Sequence, residues 1–155
     1  MVKADTLNII KKTASELLKA MGEEGSILVE ESGEPGVWVN LNLKDPQFLI
    51  GPGGIYLEAF ERLLRAVSKR KIFETGKVFI NVDINNYRKR RAEFLKELAR
   101  EIGDQVSLSK KAVTLEPMSA FERRIVHLEL ASRQDVATES VGEEPERKVE
   151  ISPHP

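Results

Sequence analysis

The sequence contains no cysteine, has only two histidines and carries almost balanced charge, with a formal net charge of −1. The absence of cysteine excludes disulfides, zinc ribbons and thiol catalysis, and it suits a reducing cytosol. No apolar run approaches the roughly 18 residues that a transmembrane helix needs, and the first residues lack the apolar core of a signal peptide. The balanced charge gives no global reason to bind a polyanion, so such a site would need local clustering of cations. We therefore expect a cytoplasmic chain that does not associate with membranes.

Hydrophobic periodicity predicts two structural units in the 155 residues, a length that suits one ordinary domain or two small ones. The first unit begins with a helix capped by Asp5 and continues with two strands joined by a turn at residues 33–36. A short helix opening at Asp45-Pro46, a glycine-rich loop, a long helix from Ile55 to Lys71 and a strand at residues 78–84 follow. This is an α+β arrangement in the order α-β-β-α-α-β.

Gly51, Pro52, Gly53 and Gly54 interrupt an apolar stretch between two predicted helices. Glycine and proline are the poorest helix formers, so their presence here needs an explanation other than helix stability. A loop without bulky side chains lets a ligand approach the backbone, and the N–H groups at a helix start suit a phosphate. The alternative is a plain helix–helix turn, since the G-x-x-G pattern is common by chance.

The second unit begins with a cationic helix and ends with an acidic tail. It starts after Asn85-Asn86 with a helix that we expect to end at Gly103. The first turn of this helix holds four cations, which are Arg88, Lys89, Arg90 and Arg91. Cations there oppose the helix dipole, so the cluster is either a solvated face or a surface that binds an external anion. The chain from Glu139 to Pro155 is predicted to be an acidic, turn-rich tail with one plausible strand at Lys148–Ile151.

The last predicted helix starts at a capping box formed by Ser119 and Glu122. Helical spacing puts Arg123, Arg124 and His127 on one side, where small alanines leave them accessible. We expect this basic edge to lie at the surface, with an apolar flank of the helix packed against the domain on each side of it. The flanks are formed by Phe121, Ile125 and Leu128 on one side and by Val126 and Leu130 on the other.

The two units resemble two known nucleic-acid-binding modules. The I-G-x-x-G pattern at Ile50–Gly54 resembles the loop of KH domains, and the predicted order of elements is that of the type II KH fold. Arg123-Arg-Ile-Val-His127 resembles the signature of the R-3-H domain, found in proteins that bind single-stranded nucleic acids. Together with Asn86-Tyr-Arg-Lys-Arg-Arg91, Leu115-Glu-Pro-Met118 and Thr138-Glu-Ser140, these motifs make the chain similar to the bacterial Jag family, also called KhpB or EloR.

The resemblance implies a type II KH domain over residues 1–84 and an R-3-H domain over residues 85–155 with the acidic C-terminal tail. It implies a cytoplasmic, non-catalytic protein that binds single-stranded RNA, or single-stranded DNA, and is linked to cell elongation and division. The residues that it assigns to nucleic-acid binding are Gly51, Pro52, Gly53, Gly54, Arg88, Arg91, Arg123, Arg124 and His127. KH loops usually carry a lysine or arginine between their glycines. The neutral Pro52-Gly53 pair therefore predicts weaker binding by the KH side.

Two other functions compete with RNA binding. The first is a protein-binding adaptor that pairs with a KH-only partner and uses RNA weakly or not at all. The second, catalysis, is disfavoured because no carboxylate or nucleophile is placed by the sequence to work with His127. No ligand spacing indicates a metal, so we predict no metal, no cofactor and no small-molecule substrate. Trp38 and Phe79 point away from the main apolar face of their strands, where they would stack on bases or be buried by a neighbouring domain or dimer partner.

Overall fold

The computed structural model describes residues 2–32, 36–72 and 78–154, and its contacts divide the chain into two compact units. Unit 1 comprises Met1–Arg88, and unit 2 comprises Lys89–Pro155. Both are mixed α+β structures. Most of the turn predicted at residues 33–36 lies outside the described residues. Within the three described ranges, each helix is too short or too polar to cross a membrane.

Unit 1 has the order of elements that the hydrophobic pattern predicts. Its helices are α1 (Ala4–Ala20), α2 (Gln47–Ile50) and α3 (Ile55–Lys71), and its strands are β1 (Gly25–Ser32), β2 (Gly36–Leu43) and β3 (Phe79–Ile84). A 3-10 turn over Pro52–Gly54 separates α2 from α3. The predicted cap of α1 is wrong, because Lys3 is the N-cap and Asp5 lies in the first turn. A carboxylate in the first turn still stabilises the helix, because its negative charge interacts favourably with the helix dipole.

The sheet of unit 1 has the order β1-β2-β3, in which β1 and β2 are antiparallel and β2 and β3 are parallel. Alternate strand residues face the helices, so Val39 and Val82 are buried in one core with Phe60 of α3. The opposite face carries Trp38 and Phe79, whose exposed fractions are 36% and 59%. Both rings are therefore accessible to a partner.

Unit 2 combines two helices with a three-stranded antiparallel sheet. Its elements are α4 (Tyr87–Ser109, with its first two residues in unit 1), β4 (Val113–Thr114), α5 (Ala120–Leu130), β5 (Val136–Val141) and β6 (Lys148–Pro153). The sheet order is β4-β6-β5. Leu95 of α4, Val126 of α5 and Ile151 of β6 are fully buried in one core. The capping box of Ser119 and Glu122 is confirmed at the start of α5.

Two expectations about the secondary structure of unit 2 are wrong. Helix α4 does not end at Gly103 but runs through it. A Cβ atom on Gly103 would lie 3.1 Å from both Leu130 Cδ2 and Arg133 Nη1, so glycine permits close packing despite its low helix propensity. The segment after Glu139 is not a tail, because β5 and β6 form an antiparallel hairpin there. Ile151 of this hairpin is completely buried, so the hairpin is part of the core of unit 2.

Candidate functional site

The glycine loop has a backbone that glycine adopts far more readily than other residues. Gly51, Gly53 and Gly54 have φ angles of 71°, 61° and 80°, in the left-handed region. The N–H of Gly51 donates to Gln47 O at 3.0 Å, and the N–H of Gly54 donates to Gly51 O at 3.2 Å. Because Pro52 has no N–H, Gly53 supplies the loop amide that has no partner among the described residues. The loop therefore offers fewer donors to a phosphate than its sequence suggests.

Neighbouring aromatic rings explain why two of these positions hold glycine. A Cβ atom on Gly51 would overlap the ring of Tyr56, and one on Gly54 would lie 3.1 Å from Cε1 of Tyr87. A Cβ atom on Gly53 would instead enter open space. The large apolar side chains that flank the loop in sequence and are more than half exposed are Phe48, Ile55 and Tyr56. Apolar and aromatic groups beside a bare backbone suit contact with unpaired bases.

Arg88 is bound to the edge of the sheet of unit 1. Its Nε donates to Val82 O at 2.9 Å, and its Nη2 lies 3.0 Å from Glu61 Oε2. The same carboxylate oxygen accepts a hydrogen bond from the N–H of Val82, and Arg65 Nε donates to Ile80 O. Since β3 is an edge strand, side chains thus satisfy the outward backbone groups of Val82 and the outward carbonyl of Ile80. This geometry favours a structural role for Arg88, and its contact with nucleic acid stays a prediction.

Arg91 connects the two helices of unit 2. Its Nε lies 2.9 Å from Glu122 Oε1, and its guanidinium lies 5.3 Å from the centroid of the Phe94 ring, within cation–π range. The other carboxylate oxygen of Glu122 accepts a hydrogen bond from the N–H of Ser119, as the capping box requires. Arg91 is therefore fixed beside an exposed aromatic ring, and a buried carboxylate neutralises its charge.

Arg123 is buried, contrary to the expectation that it lies on an accessible basic edge. Its Nη1 donates to Met118 O at 2.8 Å, and its Nη2 lies 2.7 Å from Glu144 Oε1. A guanidinium tolerates burial when a carboxylate balances its charge and its donors are bonded. Helical spacing alone does not predict this burial, because Glu144 comes from the distant turn between β5 and β6.

His127 attaches α5 to β5 through both nitrogens of its ring. Nδ1 shares a hydrogen bond of 2.7 Å with Thr138 Oγ1, and Nε2 shares one of 2.9 Å with Ser140 Oγ. The pKa of His127 is lowered, first because burial disfavours the charged ring and then because the positive charge of Arg123 repels a proton. The ring is therefore neutral at physiological pH and holds the helix in place.

The exposed face of α5 contains residues that were expected to be buried. Phe121 and Leu128 are 58% and 64% exposed. Arg124, on the same face at helical spacing, is exposed and has no hydrogen-bond or ion-pair partner within the described ranges. The spacing of residues 121, 124 and 128 could have revealed this face in the sequence. An aromatic ring beside an unpaired guanidinium is a combination that binds single-stranded nucleic acids.

The predicted residues thus form two separate sets. The glycine loop and Arg88 belong to unit 1, whereas Arg91, Arg123, Arg124 and His127 belong to unit 2. Arg88, Arg91 and Arg123 each bind a carboxylate. Among these cations, Arg124 is the one that the described part of the structure leaves unpaired and exposed.

Residues 93–153, nearly all of unit 2, match the model of a known family, the R-3-H domain. The match covers α5 together with its Arg123 and His127 pair. Unit 2 is accordingly similar to the R-3-H class of domains.

Relatives extend the similarity over both units. The RNA-binding protein KhpB of Clostridium symbiosum is 34% identical over 157 residues, which cover 98% of this chain and 70% of the relative. The protein of the same name from Bacillus subtilis (strain 168) is 32% identical over 152 residues, covering 97% of this chain and 72% of the relative. The one from Streptococcus pneumoniae serotype 2 is 26% identical over 113 residues, 73% of this chain and 34% of the relative. The chain belongs to the KhpB family.

Proposed function

We propose that this chain binds single-stranded RNA without catalysing a reaction and acts as a post-transcriptional regulator. The observation that carries the proposal is the alignment of nearly the whole chain with relatives named RNA-binding protein KhpB. The match of residues 93–153 to the R-3-H domain supports it independently for unit 2. A cytoplasmic location and a role in cell elongation and division complete the proposal and come from the family resemblance.

In unit 2, the RNA lies along the exposed face of α5. The ring of Phe121 stacks on a base, and the guanidinium of Arg124 binds a neighbouring phosphate. Stacking on an aromatic ring contributes about 1–3 kcal/mol per base and depends little on sequence. His127 has a positioning role, because its two hydrogen bonds hold α5 against β5.

Unit 1 is, in this proposal, a type II KH domain whose glycine loop holds the RNA backbone. The support is the element order α-β-β-α-α-β, with the loop at Gly51–Gly54 between two helices. The N–H of Gly53, which has no partner among the described residues, binds a phosphate oxygen, and the exposed ring of Tyr56 contacts a base. Because Pro52 and Gly53 carry no charge, this unit contributes less affinity than unit 2.

The surroundings of His127 favour binding over catalysis. Ser140 is close to one ring nitrogen, but the other nitrogen bonds to the hydroxyl of Thr138. In a serine–histidine catalytic group that second nitrogen is oriented by a carboxylate, which also stabilises the charged ring. Here the nearby charge is the cation Arg123, which opposes protonation of the ring.

Fluorescence anisotropy of a labelled single-stranded RNA, titrated with the chain at several salt concentrations, tests the proposal. Arg124→Ala and Phe121→Ala each weaken binding by about five-fold or more. The effect of Arg124→Ala shrinks at high salt because phosphate contacts are screened, whereas that of Phe121→Ala persists. Lys96→Ala is the matched control, since Lys96 is an exposed cation of α4 without a partner in the described ranges.

Two results would count against the proposal in different ways. Equal affinity of the wild type, Arg124→Ala and Phe121→Ala would contradict the assignment to α5. Failure of the wild-type chain to bind any single-stranded RNA at low salt would contradict the RNA-binding function itself.

Pairing with a KH-only protein is a second candidate function, favoured by the two exposed rings on the outer face of the sheet. Trp38 and Phe79 are the kind of side chain that is enriched in protein interfaces. Size-exclusion chromatography with a KH-only protein tests this idea. Trp38→Ser then removes the complex while RNA affinity is retained, and an unchanged complex would exclude this face.

A further inference from the structure

Arg123 and Glu144 form an ion pair whose two members differ sharply in exposure. The side chain of Arg123 is 9% exposed, whereas that of Glu144 is 59% exposed. On its inner side the guanidinium donates from Nη1 to Met118 O, which fixes it to the segment before α5. Its Nη2 lies 2.7 Å from the carboxylate of Glu144. A solvent-exposed carboxylate therefore covers a buried cation.

A phosphate can replace this carboxylate without leaving a buried charge unpaired. Guanidinium groups bind carboxylates and phosphates with the same planar arrangement of N–H donors. Glu144 lies in the turn between β5 and β6 and is already more than half exposed, so water screens its attraction to Arg123 and hydrates the carboxylate when it is released. Removal of the carboxylate without a substitute would instead leave Arg123 unbalanced.

We infer that Glu144 sets the RNA affinity of unit 2 by competing with an RNA phosphate for Arg123. This inference rests on the proposed function. In the free chain, Glu144 occupies the position on Arg123 that the phosphate takes in the complex. Arg123 thus adds a second phosphate site to unit 2 besides Arg124, and the carboxylate of Glu144 lowers the affinity of that site.

The chain offers a closely matched control for this competition. Glu143 precedes Glu144 in the same turn and is exposed. Its side chain has no hydrogen-bond or ion-pair partner in the part of the chain that the structure describes. Glu143→Gln therefore removes the same charge from the same turn without altering the surroundings of Arg123.

The test compares the affinities of the wild type, Glu144→Gln and Glu143→Gln for a fluorescein-labelled oligouridylate, measured by anisotropy at low salt. Glu144→Gln binds about three- to five-fold more tightly than the wild type, the size expected for loss of a partly exposed competing ion pair. Glu143→Gln changes the affinity by less than about two-fold, because it alters only the general charge. Circular dichroism confirms that both variants remain folded.

A second variant covers the case in which Glu144→Gln does not fold. Glu144→Asp keeps the charge but shortens the side chain, so it weakens the contact with Arg123 and binds RNA more tightly than the wild type does. If the wild type binds RNA and neither Glu144 variant binds more tightly than Glu143→Gln, the inference is wrong although the proposed function stands. Absence of binding by every form refutes the proposed function and the inference with it.

Discussion

Glu61 and Arg88 together close the outer edge of β3. Arg88 Nη2 lies 3.0 Å from Glu61 Oε2, and both side chains also bind the backbone of Val82. Glu61 holds a second cation, because its Oε1 lies 2.9 Å from Arg65 Nη2. Buried polar backbone groups are costly when they are unsatisfied, so these side chains stabilise an edge that has no neighbouring strand among the described residues.

Arg88→Ala should therefore affect folding more than RNA binding. Loss of the hydrogen bond to Val82 O and of the pairing with Glu61 lowers the free energy of unfolding by about 1–3 kcal/mol. Urea denaturation measures this loss, and Lys89→Ala serves as the control because Lys89 is exposed. If the variant keeps full stability yet loses RNA affinity, Arg88 contacts RNA and its main role is not structural.

A cation placed in the glycine loop tests whether RNA lies on unit 1. Pro52 is exposed, and Pro52→Lys introduces the charge that KH loops usually carry. If the RNA backbone follows the loop, the affinity increases and the salt dependence of log K steepens by about 0.7, the value for one more phosphate contact with a single strand. Asn8→Lys on the exposed side of α1 adds the same charge elsewhere in unit 1 and leaves the slope unchanged. Identical slopes for the two variants would place the RNA away from the loop.

His127 makes stability depend on pH in a defined direction. Its pKa is lowered in the folded chain by burial and by the charge of Arg123, while in the unfolded chain it has the ordinary value of about 6.5. Below that value the unfolded chain binds more protons, so the contribution of His127 is fully present at higher pH and is lost as the pH falls toward the lowered pKa. The free energy of unfolding therefore decreases as the pH is lowered from about 7.5 to about 5.5.

Variants separate this effect from the titration of other groups. His127→Gln keeps groups that can bond to Thr138 and Ser140 but removes the titration, so it shows a smaller decrease than the wild type. His154→Gln, which removes the other histidine of the sequence, is the control. Urea denaturation at both pH values measures the difference, and parallel behaviour of wild type and His127→Gln would rule out His127 as the cause.

Gly103→Ala should destabilise unit 2 although alanine is the better helix former. The gain in helix propensity is about 1 kcal/mol. The added Cβ would lie 3.1 Å from Leu130 Cδ2 and Arg133 Nη1, and neither neighbour moves freely. Leu130 is buried in the core, and Arg133 binds Asp104 and Asp135. Overpacking of about 1–3 kcal/mol therefore outweighs the propensity gain, and a raised melting temperature would contradict this account.

Features that depend on neighbouring residues were predictable from the sequence. The capping box needs only Ser119 and Glu122, and the long helix α3 from Ile55 to Lys71 follows from the spacing of its apolar residues. The position of the glycine loop was predictable because glycine and proline interrupt helices locally. Its available donors were not, since the sequence does not reveal that Gly51 and Gly54 already use their amides.

Features that depend on distant partners were not predictable in this way. Arg123 has the spacing of a surface residue, and its burial depends on Glu144 from a later turn. Gly103 resembles a helix end until its packing against Leu130 is known. Strand β5 includes polar residues such as Thr138, so its own sequence does not indicate a strand. Its pairing with β6 in the hairpin makes it one. In each case a contact between residues far apart in the chain decides the structure.

The closed edge of β3 limits how copies of unit 1 can assemble. Of the two outer strands of the described sheet, β3 has backbone groups of Ile80 and Val82 bound by Glu61, Arg65 and Arg88, so β1 is the outer strand that is left to accept a further β-strand. A sheet that can be extended at one edge only stops growing once two copies have paired through that edge. Extension of the sheet from one copy to the next through β1 would therefore stop at a pair.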